Sequence, residues 1–469
     1  MTPSPHRMSG ALFDRIASGE GGREAAVLLR RAEYSRRLML VREVVARARD
    51  HSAPVAAAAL TAWSLLSRVH GTAPDVAREV LTYPSVGPAQ LRSLSVLVGA
   101  TDAVPCADPL LATAVAGALR ANLPVTVTLP VRHGRVLLPS LGAALFDGVP
   151  DGEPATVRVG PGGASVTAAG RRVRVPPDTG RPGPDPVSGT GWLGLRPLLT
   201  APGRTPLLLD DIDPDAFPAA PGTGRLPAAQ WAHWRRTFAD ARRLLRAAHP
   251  GPLAETEATF RAVVPVLAPP GRDAAGSSDE TFGCTGLSTP RDARDLALAL
   301  VHELQHNKLA AVTHLFDLTA ERPGEYFYAP WREDPRPLGG LLHGVYAHLG
   351  VALFWHRQSG AERTADGRRL AWVEFARWRD ASREACGTLL ASGRLAPVGA
   401  RFAMGMADAL DELGARSVPP VAAARAAALS RAHRGRWAAR HSGGASRAGH
   451  PSAPAPSASP DSSGGTRRS

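Results

Sequence analysis

Lysine is almost missing from this chain. Of the 55 basic residues among 469, only Lys308 is a lysine, and the rest are arginines. Cysteine is nearly as scarce. Cys106, Cys284 and Cys386 lie far apart, match no metal or redox spacing, and exclude a disulfide framework; a sparse, odd count fits a reduced cytoplasm. No window holds the roughly 18 uncharged apolar residues of a membrane span, so none is expected. The first thirty residues carry Asp14, Glu20, Arg23 and Glu24 without an apolar core, and do not read as a secretory signal. Acids are scarce at one end only. From Arg416 onward nine arginines face a single acid, Asp461, so that segment supplies +8 of the net +13 and the body carries +5. A body so nearly balanced, with no basic stripe or motif, gives no reason to expect nucleic-acid binding. The bias toward Arg, Ala, Gly and Pro fits a high-GC coding sequence.

What is present describes a globular α+β protein, mainly helical, with 44% hydrophobic and 21% charged residues and length for two or three domains. Residues 1–122 have helical periodicity, as in Leu38, Val41 and Val45, and serve as a scaffold or a partner-docking region. Residues 123–225 change to short β-type runs with Pro/Gly loops. Val125–Leu129 and Arg135–Leu138 flank His133-Gly134 as a hairpin would. Gly160-Pro161-Gly162-Gly163 reads as a turn, because a phosphate loop needs a following helix. Asp210-Asp211-Ile212-Asp213 reads as a solvated turn or a cation site. Residues 226–440 form a second helical, catalytic region, and 441–469 a disordered basic tail. The chain has no internal repeat, and no oligomeric state follows from it.

The chemistry sits at His302-Glu303-Leu304-Gln305-His306. Two histidines four apart share a helix face and can reach one metal ion, with Glu303 roughly 100° around the helix beside it. Thr289 as N-cap, Pro290 and Asp292 predict a helix from Pro290 to about Leu318. Leu296, Leu300, Val301, Leu304, Leu309 and Val312 surround it with apolar residues, so it is buried. Polar groups buried there need partners: a metal ion, or hydrogen bonds within the core. For the third ligand, Glu325 has a thermolysin-like separation but lies in a Pro/Gly-rich stretch that should not be helical, and the metzincin positions are Leu309 and Val312. His343, on the helix following Pro337, is the better candidate, with His314 its rival; His348 and His356 fall on other faces of that helix. Gly339, Gly340, Gly344 and Gly350 allow close packing along it. In the connecting loop, Arg332 can hold a carboxylate in bidentate fashion, or pair with Glu333 or Asp334.

The block Val301-His302-Glu303-Leu304-Gln305-His306-Asn307-Lys308-Leu309, with Tyr328-Ala329-Pro330-Trp331-Arg332-Glu333-Asp334-Pro335-Arg336-Pro337 and Leu338–Tyr346, resembles the HExxH-motif peptide-modifying proteins. These accompany ribosomally made, post-translationally modified peptides, mostly in actinobacteria. Leu28–Arg37 and the Asp210–Pro214 turn resemble the family more weakly. The resemblance implies an Fe(II)- and 2-oxoglutarate-dependent dioxygenase that β-hydroxylates residues of a precursor peptide. It implies His302, His306 and His343 as iron ligands, Arg332 as partner of the 2-oxoglutarate distal carboxylate with Trp331 and Arg336 beside it, and Glu303 as an orienting residue. The alternative from the motif alone is a zinc metallopeptidase with Glu303 as general base. A third reading is an inactive protein that binds precursor peptides through its N-terminal helices.

Overall fold

The computed structural model describes residues 6–180, 183, 185–200, 206–213, 216–268 and 273–441. The expected disordered tail lies outside the described residues. The fold is α+β and mainly helical. Six helices come first: α1 (Gly10–Ala17), α2 (Gly22–Arg49), α3 (Ala53–Thr72), α4 (Pro74–Leu81), α5 (Val86–Leu97) and α6 (Asp108–Arg120). Nine strands follow: β1 (Val125–Pro130), β2 (Arg135–Leu138), β3 (Gly142–Leu145), β4 (Pro154–Gly160), β5 (Gly163–Ala168), β6 (Arg171–Val175), β7 (Trp192–Gly194), β8 (Arg196–Leu199) and β9 (Leu207–Leu209). Then come α7 (Ala228–Ala248), α8 (Pro250–Thr259), β10 (Ala262–Pro265), β11 (Ala275–Gly276) and β12 (Cys284–Leu287). Five helices complete the described chain: α9 (Ala293–Thr313), α10 (Leu338–Ala361), α11 (Ala365–Ala391), α12 (Pro397–Gly414) and α13 (Pro420–His441).

The strands form three small sheets, ordered β1-β4-β5-β6, β2-β3-β7 and β11-β12-β10-β9-β8. The expected β1–β2 hairpin is corrected. His133 and Gly134 do make a tight turn, with φ of 50° and 66°, but β1 pairs with β4 and β2 with β3. Leaving the turn, the two strands part into different sheets. Gly160 and Gly163 do close the β4–β5 turn, and a strand follows it. In the third sheet β10 is parallel to both β9 and β12, and every residue of β10 and β12 is buried.

Two large cores divide the chain. One joins α1 and the start of α2 to α7–α12; the other joins the rest of α2, α3, α4 and α6 to β1–β7. The N-terminal helices are therefore shared between a β-rich body and the helical body that holds α9. Glycine keeps α10 close to its surroundings: the Trp331 ring lies over Gly344, and the Gln305 side chain over Gly350. By length and composition α10 passes as a membrane span, yet 78% of its apolar window is buried inside the protein. It is a core helix.

The start of α9 also differs from expectation. Asp292, with extended backbone, is the N-cap, and its carboxylate accepts the Asp295 N–H at 2.9 Å. Thr289 stays outside because the next carbonyl, of Pro290, is engaged by His233 Nε2 at 2.8 Å. The helix stops at Thr313, short of Leu318, because residues 318–320 run alongside 394–396, bonding Ala320 N–H to Arg394 O and Ala396 N–H to Leu318 O.

Candidate metal centre

Apolar residues surround α9, so its polar side chains are buried with it, and most find partners in the protein. Gln305 Nε2 donates to Gly19 O at 2.8 Å. Lys308, 1% exposed, donates to Glu20 O at 2.8 Å and pairs with Glu255 at 2.7 Å. Asn307 accepts the Gly283 N–H and donates to Ser277 Oγ and to the Cys284 and Glu303 carbonyls. Glu303, fully buried, accepts from Ser277 Oγ at 2.7 Å. Gly283 at φ 85° turns the chain so that its N–H meets Asn307, fixing the segment before β12 against α9.

The histidines are left facing one another. His302 Nε2 and His306 Nε2 stand 3.2 Å apart. Two nitrogens bound at about 2.0–2.1 Å to one metal ion are separated by about 3.0–3.4 Å. The pair therefore fits two cis positions on one ion. Helix α10 brings two more rings: His348 stands edge-on to His302 with centroids 5.1 Å apart, and His343 lies nearly parallel to His306 at 5.8 Å. The pairing runs antiparallel, with 302 opposite 348 and 306 opposite 343. Among the described residues no three His, Cys, Asp or Glu side chains stand close enough together, as they lie, to hold a metal ion. A ring movement of His343 or His348 would be needed to bring a third nitrogen to the pair.

The electrostatics suit ligation. Burial, with His348 nearby, holds the His302 pKa well below the usual imidazole range. Burial, then His302, His343 and Arg336, does the same for His306. His343 is lowered too, first by burial, with Asp279 opposing and Arg336 adding. Burial pushes His348 down to about 3, against the bond between its Nδ1 and Gly344 O at 2.9 Å. Neutral imidazole is the form that binds metals, and Nδ1–H donated to a carbonyl leaves the Nε2 lone pair for ligation.

Trp331 stacks on His348 with centroids 4.4 Å apart, so the loop before α10 closes over the histidines. Arg332 Nε bonds Asp334 at 2.7 Å, while its Nη1 is buried with no hydrogen-bond partner. Arg336 shares Asp334 at 3.5 Å and lies against Gly340 in the first turn of α10. Asp334 has its carboxyl below the usual range: burial raises it, but the two arginines outweigh that.

Other candidates lie elsewhere. His314 bonds Glu33 at 2.6 Å, Glu325 pairs with Arg394 at 3.3 Å, and His356 packs on the Phe375 ring. The aspartate turn is no solvated turn. Asp210 and Asp211 are buried; Asp210 accepts from Tyr83 Oη, and Asp211 from Arg196 and Arg225. The arginines neutralise a carboxylate that would otherwise stay in water. A cleft lined in part by Tyr83, Arg120, Thr179 and Arg261 contains none of the four histidines. Sequence reasoning missed Ser277 and Asn307 as the supports of Glu303. It also set His348 on a separate face; the available signal was its Gly344 carbonyl one turn back. No protein-family model and no curated protein matches the chain.

Proposed function

We propose that this protein is an Fe(II)- and 2-oxoglutarate-dependent dioxygenase that hydroxylates β-carbons in a ribosomally made precursor peptide, in the cytoplasm. The reading rests on the resemblance of the 301–346 block, and one observation supports it most. Two further histidines, His343 and His348, flank the 3.2 Å pair His302–His306, while Glu325, the peptidase-like third ligand, is paired with Arg394. Imidazole ligands that leave positions open suit Fe(II) and zinc alike, so iron is chosen on the resemblance. With the metal bound, O₂, 2-oxoglutarate and a substrate C–H bond would yield succinate, CO₂ and an alcohol.

The chain's own residues have defined tasks in this reading. His302 and His306 hold the metal, with His343 as third ligand; His348, its ring 5.1 Å from that of His302, competes for that position. Ser277 and Asn307 fix Glu303 so that its Oε1 stands 3.9 Å from His302 Nε2, where it orients a ligand. Trp331 covers one side of the site and excludes water. Arg332 Nη1 offers a free buried donor to the distal carboxylate of 2-oxoglutarate, with Arg336 beside it.

The test is to load the protein anaerobically with Fe(II), then add 2-oxoglutarate, O₂ and a candidate precursor peptide. A product heavier by one oxygen atom is expected; cleavage without need of 2-oxoglutarate would overturn the reading. His343→Ala should abolish iron retention, and retention there with loss in His348→Ala would move the third ligand. Glu303's place beside His302 favours a second reading, a zinc peptidase with Glu303 as base. In that case Glu303→Gln abolishes turnover, and zinc alone supports it.

A further inference from the structure

The outer face of the β1-β4-β5-β6 sheet carries charge without compensation. Inward residues such as Val157, Val166 and Val173 are buried in the β-rich core, so alternate residues point outward. The register sets them in rows. Arg158, Ser165 and Arg174 lie abreast across β4, β5 and β6, and Thr156, Thr167 and Arg172 form the next row. The three arginines are exposed, and among the described residues none forms an ion pair. The four strands contain no Asp, no Glu and no aromatic residue. Some exposed arginines elsewhere meet acids, as in Arg383–Asp411 and Arg401–Asp14.

We infer that this face docks an acidic, extended peptide segment. Arg158 and Arg174 stand two strand spacings apart, about 10 Å, with no acid between them, and an anionic partner relieves their repulsion. Arg172 and Arg174 are two residues apart on one strand, about 7 Å. A β-strand with a carboxylate at every second position has the same spacing, so Arg172 and Arg174 each meet one carboxylate, the Ser165 and Thr167 hydroxyls on β5 donate to what remains, and Arg158 on β4 adds positive charge at the far side. Single-stranded nucleic acid is disfavoured because no aromatic ring offers stacking. A membrane surface is disfavoured because no large apolar side chain projects from the face. The inference goes beyond the proposed reaction and does not depend on it.

Binding is read by fluorescence anisotropy with the full-length protein and a labelled peptide of alternating glutamate and threonine. Binding that weakens with salt is expected, with about tenfold loss in the Arg158→Thr/Arg172→Thr/Arg174→Thr variant, since exposed ion pairs are individually weak and screened by salt. Threonine suits strands, and thermal melting checks that the sheet is intact. Arg174→Glu alone should weaken the glutamate peptide and strengthen its lysine counterpart. Unchanged affinity in both variants overturns the inference. So does an oligothymidine that binds as tightly with the same arginine dependence, which would make the partner a nucleic acid.

Discussion

Glycine at two points of α10 decides how near the histidines can come. A methyl group at Gly350 would stand 2.6 Å from Gln305 Cγ, and one at Gly344 would strike the Trp331 ring. Gly344→Ala should cost about 1–3 kcal/mol in denaturant unfolding and shift tryptophan fluorescence as Trp331 leaves His348. Lys308 gives a second prediction at this scale. Its ammonium and the Glu255 carboxylate are both buried, 2.7 Å apart. Lys308→Met strands the carboxylate and should cost about 3–5 kcal/mol, whereas Lys308→Met/Glu255→Leu should recover most of that loss. Equal loss in both variants would show that the ion pair contributes little. The HExxH spacing was legible from residue types alone. The roles of Ser277 and Gly283 were not, because they reach Glu303 and Asn307 across 24 to 30 positions.

Helix α13 braces the loop that covers the candidate centre. Tyr328 Oη bonds His433 Nδ1 at 2.9 Å, Trp437 packs edge-on against Tyr328, and Arg436 and Arg440 pair with Glu333. Trp437→Ala should lower hydrogen-exchange protection across Tyr326–Arg336 while leaving α9 unchanged; equal protection would remove α13 from this role. Element type was legible where periodicity is strong, as in α9 and α10. The start of α9 was misplaced because Thr289 and Asp292 are both good caps, and only the contact of Pro290 with α7 chooses between them. The β1–β2 pairing failed because a turn fixes local direction, while the partner of β1 is set by burial of distant valines. His348 was set aside because angles on one helix ignore how an antiparallel neighbour crosses it.

At the scale of the whole molecule, burial of neutral imidazoles makes stability depend on pH. His249, hydrogen-bonded to Gln358 and stacked on Phe354, is pushed from its ordinary 6.5 to about 4 by burial. Above pH 6.5 it is neutral whether folded or unfolded. As pH falls from 6.5 to 4 only the unfolded chain takes up the proton, so stability declines, by up to about 3 kcal/mol from this residue, and levels off below. His249→Gln should flatten that slope in unfolding curves taken across the window; an unchanged slope would assign it to other groups. Lys308 has a further consequence for the protein as a reagent. It is the one side-chain amine in 469 residues, and it is sealed inside the fold. Acylating reagents should leave every side-chain amine of the native protein untouched, and trypsin should find only arginines to cut. Acetylation of Lys308, read by peptide mass after a timed pulse, then becomes a single-site clock for the opening of the histidine helix.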